Sequence, residues 1–149
     1  MSISTTVDLP EIFKTRRNII SVELNFENIV PTRDRFQDVI TTLKDLGVVI
    51  EKGERDIRQE GQRLYTSVDG WKIIGPTKAK IKVFIEGTKR KAERTISVDG
   101  RYIGRTTVET GGIKITVRAS HNDFQQLMLL MARFMELIKE RFAPFIAPS

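Results

Sequence analysis

The chain has 149 residues, of which 40% are hydrophobic and 30% charged, and its net charge of +6 gives a pI of about 9.8. This length and composition predict one globular domain with its own core, and the positive charge favours an anionic partner such as nucleic acid, an anionic membrane or an acidic protein. The absence of cysteine excludes disulfides, thiol nucleophiles and thiolate metal sites.

The N-terminal part of the chain predicts an arm, a strand and a helix. Residues 1–17 are expected to form this N-terminal arm, which precedes the sheet domain. Apolar residues stand at every second position from Asn18 to Phe26, which is the period of a half-buried strand. From Thr32 to Leu46 the spacing changes to three and four residues, with Thr32 as N-cap and Gly47 as the stop, and this predicts an amphipathic helix. The polar segment 51–62, EKGERDIRQEGQ, predicts a mobile loop or a solvated helical turn.

From Gln62 onward the sequence predicts antiparallel sheet. Two Asp-Gly pairs, at 69–70 and 99–100, each stand between strand-like runs, and Asp-Gly is the strongest short hairpin signal because both residues tolerate positive φ. We predict a meander of strands 78–86, 94–98, 101–108 and 113–118, with Thr-Gly-Gly at 110–112 as its last turn. The predicted fold is therefore α+β, with an antiparallel sheet of about four to five strands packed on an amphipathic helix within residues 18–119.

Most of the positive charge falls on the predicted sheet. Between Lys72 and Arg118 there are twelve Lys or Arg and four Asp or Glu, a net charge of +8, so the remaining residues sum to −2. In the strand 78–86, aliphatic residues alternate with three lysines and Phe84. The pleat of a strand sends these two sets to opposite faces, which predicts a buried aliphatic face and an exposed face of lysines with one phenylalanine. Residues 113–118 alternate in the same way.

This cationic face has two interpretations. Exposed lysines on strands also serve solubility and block edge pairing. Aromatic residues among the cations favour nucleic acid instead, because cations neutralise phosphates and aromatic rings stack on unpaired bases for about 1–3 kcal/mol each. Trp71, beside Ile73 and Ile74, fits the core equally well, and burial of Phe84 would remove it as a stacking residue. The candidate nucleic-acid-binding residues are Lys78, Lys80, Lys82, Phe84, Lys89, Arg90, Lys91, Arg94, Arg101, Tyr102, Arg105, Lys114, Arg118 and Trp71.

The segment 120–143 predicts a long C-terminal helix, followed by a tail at 144–149. Ser120 and Asp123 have the spacing of a capping box, so the helix is expected to start near His121. Apolar residues cover more than half of its circumference, which indicates an assembly surface in addition to a packing face. We predict a homodimer or homotetramer through this leucine-zipper-like helix, with interface residues Leu127, Leu130, Met131, Phe134, Leu137 and Ile138.

The combined features resemble the archaeal ThermoDBP family of single-stranded DNA-binding proteins, over about Asn18 to Phe142. In that family a small sheet domain forms a cleft with basic walls and an apolar floor, and a long C-terminal helix drives oligomerisation. The resemblance implies that KAKIKVF (78–84) and TKRKAER (88–94) supply wall cations, that Phe84 and Tyr102 form the stacking floor, and that LMLLMARFMELI (127–138) is the assembly helix. It implies a protein that binds single-stranded DNA or RNA largely independently of base sequence.

Two functions from other classes remain open. The same element order fits helix-grip (Bet v 1-like) domains, which hold a small apolar ligand between a curved sheet and the C-terminal helix. That hypothesis explains the Met- and Phe-rich helix but not the sheet charge of +8. Docking to an acidic protein or an anionic membrane would use the charge but does not need interleaved aromatic residues.

Catalytic motifs are scarce in the chain. His121 is the only histidine, and it stands where the C-terminal helix is expected to begin, so a capping or surface role is expected for it. We find no Gly-rich phosphate loop, metal-ligand cluster or nucleophile motif, and we expect no enzymatic activity, metal or cofactor. The N-terminus lacks the apolar run of a signal peptide, and no segment reaches the roughly 18 apolar residues of a membrane span, so we expect a soluble cytoplasmic protein that does not bind membranes.

Overall fold

The computed structural model describes residues 2–6 and 17–148 of the chain, with side chains from residue 17 onward. The strands are β1 Ser2–Thr6, β2 Arg17–Glu27, β3 Val49–Lys52, β4 Arg58–Glu60, β5 Arg63–Ile74, β6 Thr77–Val98 and β7 Arg101–His121. The helices are α1 Arg33–Asp45 and α2 Phe124–Phe142, and a short 3-10 helix, Ala143–Phe145, follows α2. Within the described ranges, no helix is long and apolar enough to cross a membrane.

All strands of the described residues belong to one antiparallel sheet. Its order is β1-β2-β7-β6-β5-β3, and β4 pairs with β5 beside this path. The α+β class with an antiparallel sheet and two helices is therefore confirmed, although the sheet has seven strands rather than four to five. Of the additional strands, β1 lies in the segment predicted as an N-terminal arm, and β4 and the second half of β3 lie in the predicted polar loop, which begins at residue 51.

The first predicted strand and helix are confirmed. β2 extends the predicted strand by one residue at each end. In α1, the Thr32 Oγ1 accepts a hydrogen bond from the Arg35 N–H at 3.2 Å, as expected for an N-cap, and Gly47 follows the helix with a φ of 86°. By contrast, the segment 51–62 is not simply a loop, because β3 and β4 occupy parts of it and Ile57 is buried.

Only one of the two Asp-Gly pairs forms a turn. Asp99 and Gly100, with φ of 52° and 77°, connect β6 to β7 as predicted. Asp69 and Gly70 instead lie within β5, so the first predicted hairpin is wrong. Gly70 is needed for a close approach rather than a turn, since a Cβ there would lie 2.7 Å from the carbonyl oxygen of Val49 in β3. The chain turns later, between β5 and β6.

The predicted four-stranded meander is also wrong. β6 and β7 are continuous strands of 22 and 21 residues that form a single long hairpin. The Lys89–Lys91 run and the Thr110–Gly112 turn therefore both lie inside strands. Gly111 is buried, and a Cβ there would lie 2.3 Å from the Thr88 carbonyl oxygen and 2.7 Å from the Pro31 Cδ. The glycine therefore allows both β6 and the segment before α1 to approach closely at this point.

The distal part of this hairpin extends beyond the rest of the sheet. β5 pairs with β6 only as far as Thr88, and β2 pairs with β7 only as far as Gly112. Residues 90–98 and 101–110 thus pair only with each other, and we call them the arm.

Both helices pack on one face of the sheet, the inner face. The inward side of α2 consists of residues that are at most 2% exposed: Leu127, Met131, Phe134, Ile138 and Phe142. The rings of Phe26 and Phe142 meet edge to face with centroids 4.9 Å apart. Arg141 links the two helices, because its guanidinium donates to Thr42 Oγ1 at 2.7 Å and pairs with Asp45 at 2.6 Å.

The start of α2 differs from the prediction. Asp123 is the N-cap and accepts from the Gln126 N–H at 3.1 Å, whereas Ser120 and His121 are the last residues of β7. His121 is 1% exposed rather than a surface cap. Its Nδ1 accepts from the Asp123 N–H at 2.9 Å and its Nε2 lies 2.8 Å from Thr77 Oγ1, so the ring joins the end of the sheet to the start of the helix.

We predict that Gly111→Ala destabilises the fold by about 1–3 kcal/mol, because the added methyl group would clash with the Thr88 carbonyl oxygen and overpack the contact with Pro31. Gly104→Ala is the matched control, since a Cβ at Gly104 has no heavy atom within 4 Å. Urea unfolding of both variants measures the difference. Equal stability of the two variants would contradict the close contact at Gly111.

Candidate functional site

The outer face of the sheet, which the helices leave uncovered, carries the predicted cations. On β6 the inward residues Ala79, Ile81, Val83 and Ile85 are 0–3% exposed, and the outward residues are exposed lysines and Phe84, which is 37% exposed. The predicted assignment of the two faces is confirmed. The register places β7 and β5 residues beside them on the outer face: Lys114, Thr116, Arg118, Arg63, Tyr65, Ser67, Asp69 and Trp71.

Charge pairing divides the outer-face cations into two groups. Lys114 pairs with Glu23 at 2.9 Å, and Arg63 pairs with Glu86 at 2.7 Å. The hydrogen bond to Glu23 raises the pKa of Lys114, and the same bond lowers the pKa of the Glu23 carboxyl. The carboxylates of Glu23 and Glu86 are therefore each already paired with a cation.

Lys80, Lys82 and Arg118 form the second group. No carboxylate of residues 17–148 lies within ion-pair distance of any of the three, although Asp69 stands opposite Lys82 in the register. Arg118 and Lys82 are directly paired across β7 and β6. Two exposed positive charges without an ion-pair partner thus stand side by side next to Phe84.

Trp71 lies on the outer face rather than in the core. Its ring is half-buried, and the Nζ of Lys78 lies 4.1 Å from the ring centroid, which is a cation–π contact. A cleft of about 340 Å³ adjoins the ring and is lined by Glu51, Asp69, Gly70, Trp71, Lys78, Lys80, Ile81 and Lys82. The cleft offers an aromatic surface and ammonium groups to an incoming ligand.

Sequence reasoning missed two outer-face residues on β5, Arg63 and Tyr65. The Arg63 guanidinium lies 4.4 Å from the centroid of the Tyr65 ring, and the Tyr65 hydroxyl donates to Glu60 at 2.8 Å. The alternation of Arg63, Tyr65, Ser67, Asp69 and Trp71 was the available signal. It was hidden because Asp69-Gly70 was interpreted as a turn that ends the strand.

Phe84 and Tyr102 do not form a common stacking floor, so that part of the prediction is wrong. Phe84 pairs with Thr116 in the middle of the sheet, whereas Tyr102 is 65% exposed near the tip of the arm. Fourteen residues of β7 separate Thr116 from Tyr102, which is roughly 45 Å at about 3.3 Å per residue.

The arm cations are likewise separated from the central sheet. Arg90, Arg94 and Arg101 continue the outer face along the arm, whereas Lys89, Lys91 and Arg105 stand on the opposite face of the ribbon. Arg105 pairs there with Glu93 at 3.5 Å.

The predicted assembly residues on α2 are mostly used within the chain. Leu127, Met131, Phe134 and Ile138 are at most 2% exposed because they pack on the sheet, which corrects their assignment to an oligomer interface. Leu130 and Leu137 are half-buried. Oligomerisation through α2 stays a prediction, and any such contact would use Leu130 and Leu137, which lie one heptad apart on the same side of the helix.

The space between α2 and the sheet is filled by side chains. Leu127, Phe134 and Ile138 from the helix and Ile20, Ile85 and Ile115 from the sheet are 0–1% exposed. Side chains around an empty cavity large enough for a ligand would be partly exposed to that cavity. These residues therefore contact one another without a ligand-sized space between them.

Comparisons with known proteins support no particular fold or function for this chain. No protein-family model and no curated protein matches the chain. Among solved structures the chain is similar to Ara h 8.0201, with 10% sequence identity and a TM-score of 0.28 over 85% of this chain and 99% of that chain. At this level the similarity carries no inference about fold or function, and none of the comparisons bears on the resemblance to the ThermoDBP family.

We predict that Phe84→Ala changes the free energy of unfolding by much less than Phe134→Ala. Phe84 is 37% exposed on the outer face, whereas Phe134 is 1% exposed beneath α2 and its truncation should cost about 3–5 kcal/mol. Urea unfolding of the two variants tests the assignment of the faces. A loss at Phe84 as large as that at Phe134 would place Phe84 in the core.

Proposed function

We propose that the protein binds single-stranded nucleic acid on the outer face of the sheet. The observation that carries this proposal is the exposed Phe84 beside Lys82 and Arg118, two cations that no described carboxylate neutralises. Solubility alone explains exposed lysines but gives no role to an exposed phenylalanine beside them.

Each group on this face has a separate role in the proposed complex. Lys80, Lys82 and Arg118 neutralise phosphates and release counterions. Phe84 stacks on an unpaired base, about 7 Å along the strand from Lys82. Trp71 offers a second ring, one side of which the Lys78 ammonium already covers. Stacking accepts every base, so we propose binding that is largely independent of sequence, to DNA or RNA.

Binding to this face should depend steeply on salt and should favour single strands over duplex of equal length. We predict that Lys80→Glu with Lys82→Glu weakens single-strand binding and leaves the melting temperature nearly unchanged, because both side chains are exposed. Fluorescence anisotropy with single-stranded DNA, single-stranded RNA and duplex at two salt concentrations measures both effects.

A matched control is Arg133→Glu with Lys139→Glu, which makes the same change in net charge at exposed positions of α2. This control should retain most of the affinity. Equal affinity for duplex and single strand would remove base stacking from the proposal, and equal losses in both double variants would remove the outer face as the binding surface.

The proposed stacking at Phe84 predicts a loss of about 1–3 kcal/mol of single-strand binding free energy for Phe84→Ala. Phe84→Tyr keeps an aromatic face and should bind like the wild type, whereas Phe84→Leu keeps apolar bulk and should resemble alanine. Anisotropy titrations of the three variants decide the matter. Wild-type affinity in Phe84→Ala would show that no base stacks there.

A second candidate function is binding of a small apolar ligand between α2 and the sheet. The element order favours it, because α1 follows β2, the remaining strands follow α1, and the C-terminal α2 lies on the inner face, as expected for a helix-grip domain. The filled interior means that a ligand would have to displace α2 from its contacts with the sheet.

Native mass spectrometry of the protein as purified, together with titration of the neutral apolar dye Nile red, tests this candidate. Ligand binding under α2 predicts a bound small molecule or saturable dye binding that Phe84→Ala leaves unchanged, since Phe84 lies on the other face of the sheet. A bare chain mass with no saturable dye binding would contradict it.

A further inference from the structure

Among the described residues no other strand pairs with the arm, and its one ion pair joins two of its own side chains, Arg105 and Glu93. Its two strands pair only with each other, and an isolated two-stranded hairpin is marginally stable in water. Exposed apolar residues lie toward its tip, with Ile96, Val98, Tyr102 and Ile103 at 40–65% exposure. Exposed apolar residues on a projecting hairpin indicate a surface that contacts a binding partner.

The register separates the charges of the arm by face. Arg90, Arg94 and Arg101 stand on the face that continues the outer face of the sheet, and no acidic residue of the two arm strands shares it, although Glu27 and Glu86 of the neighbouring sheet line a pocket with Arg90. Glu93 and Glu109 stand on the opposite face with Lys91 and Arg105. No described carboxylate lies within ion-pair distance of the three outward arginines. One face of the arm therefore attracts anions, and the other is nearly balanced.

The outward face of the arm is continuous with the proposed site. Lys82, Phe84, Arg90 and Arg94 all lie on the same side of β6, and the span from Arg90 to Val98 is roughly 26 Å at about 3.3 Å per residue. A strand held at Phe84 can thus continue along the arm. No aromatic residue stands on this face of the arm, so its contacts would be to phosphates rather than to bases.

An anionic bilayer fits the arm less well. Insertion of the apolar tip would carry Asp99, at the apex of the turn, into the hydrocarbon region. A carboxylate costs about 2.5–3.5 kcal/mol at the centre of a membrane.

We propose that the outward face of the arm is a second segment of the nucleic-acid site, which binds the sugar–phosphate backbone of a single strand through Arg90, Arg94 and Arg101. This proposal rests on the function proposed for the sheet. The sheet segment binds bases and phosphates, and the arm segment binds phosphates alone. The arm then matters only for strands long enough to reach it.

Two triple variants with the same change in charge test the proposal. The first is Arg90→Gln with Arg94→Gln and Arg101→Gln on the outward face. The control is Lys89→Gln with Lys91→Gln and Arg105→Gln on the opposite face. Each is titrated with single strands of about 4 and about 30 nucleotides, which stand at the lower end and beyond the upper end of the usual footprint of a small binding domain, about 4–16 nucleotides.

We expect the outward triple to weaken binding of the long strand about 10- to 100-fold at 0.1 M salt and to reduce the slope of log K against log salt by about 2, because each phosphate contact contributes roughly 0.7. Binding of the short strand should stay at the wild-type level. The control triple should change long-strand binding much less, although it removes the same three charges.

The possible failures are distinguishable. Two results would overturn the arm segment and leave the sheet site in place. One is an equal loss of long-strand affinity in both triple variants. The other is no loss in the outward triple while Lys80→Glu with Lys82→Glu weakens binding. Absence of single-strand binding by the wild type would overturn both proposals. Preferential loss of binding to anionic lipid vesicles in the outward triple would assign the arm to a membrane instead.

Discussion

The alternation of side chains along β6 is the constraint on which the rest of the structure depends. β6 pairs with β5 on one side and β7 on the other, so its pleat sets the register of the central sheet. Its inward aliphatic residues are at most 3% exposed beneath the helices, while every second residue carries a lysine or Phe84 outward. A shift by one residue would bury the lysines and expose the aliphatic residues, so the core and the cationic face determine each other.

The two helices and the arm follow from this arrangement. α2 uses its continuous apolar side within the chain, which leaves the outer face of the sheet uncovered. Where β6 and β7 continue past Thr88 and Gly112, neither α1 nor α2 covers the ribbon, and the inward positions change from aliphatic to Lys91, Glu93 and Arg105. The same strand pair therefore serves first as the centre of a core and then as a solvated ribbon.

Periodic and capping signals predicted part of this fold from the sequence. β2, α1 and the two faces of β6 were predictable because each depends on local spacing, and the Asp99-Gly100 turn was predictable because positive φ is a local property. Gly70 and Gly111 misled the prediction because their role is tertiary. Each gives space to a neighbouring segment, Val49 or Pro31, and local sequence does not show which segment will lie there.

The candidate site was predictable to the same extent. Lys80, Lys82, Phe84 and Arg118 come together because alternation and strand pairing place them on one face. The prediction that Tyr102 shares a stacking floor with Phe84 is wrong. The Lys89–Lys91 run and Thr110–Gly112 resemble turns in the sequence, so local signals do not show the length of the β6–β7 hairpin. The apolar excess of α2 indicated assembly, but most of it covers a sheet wider than the one predicted.

Backbone amide chemical-shift mapping with an unlabelled single strand tests most directly whether the outer face is the binding surface. If it is, the largest shifts should cluster at Lys80, Lys82, Phe84 and Arg118, with α2 unaffected. The contradicting result has two parts. The single strand would cause no shifts, and a small apolar molecule added in its place would cause shifts confined to Leu127, Met131 and Phe134, which would place binding beneath α2.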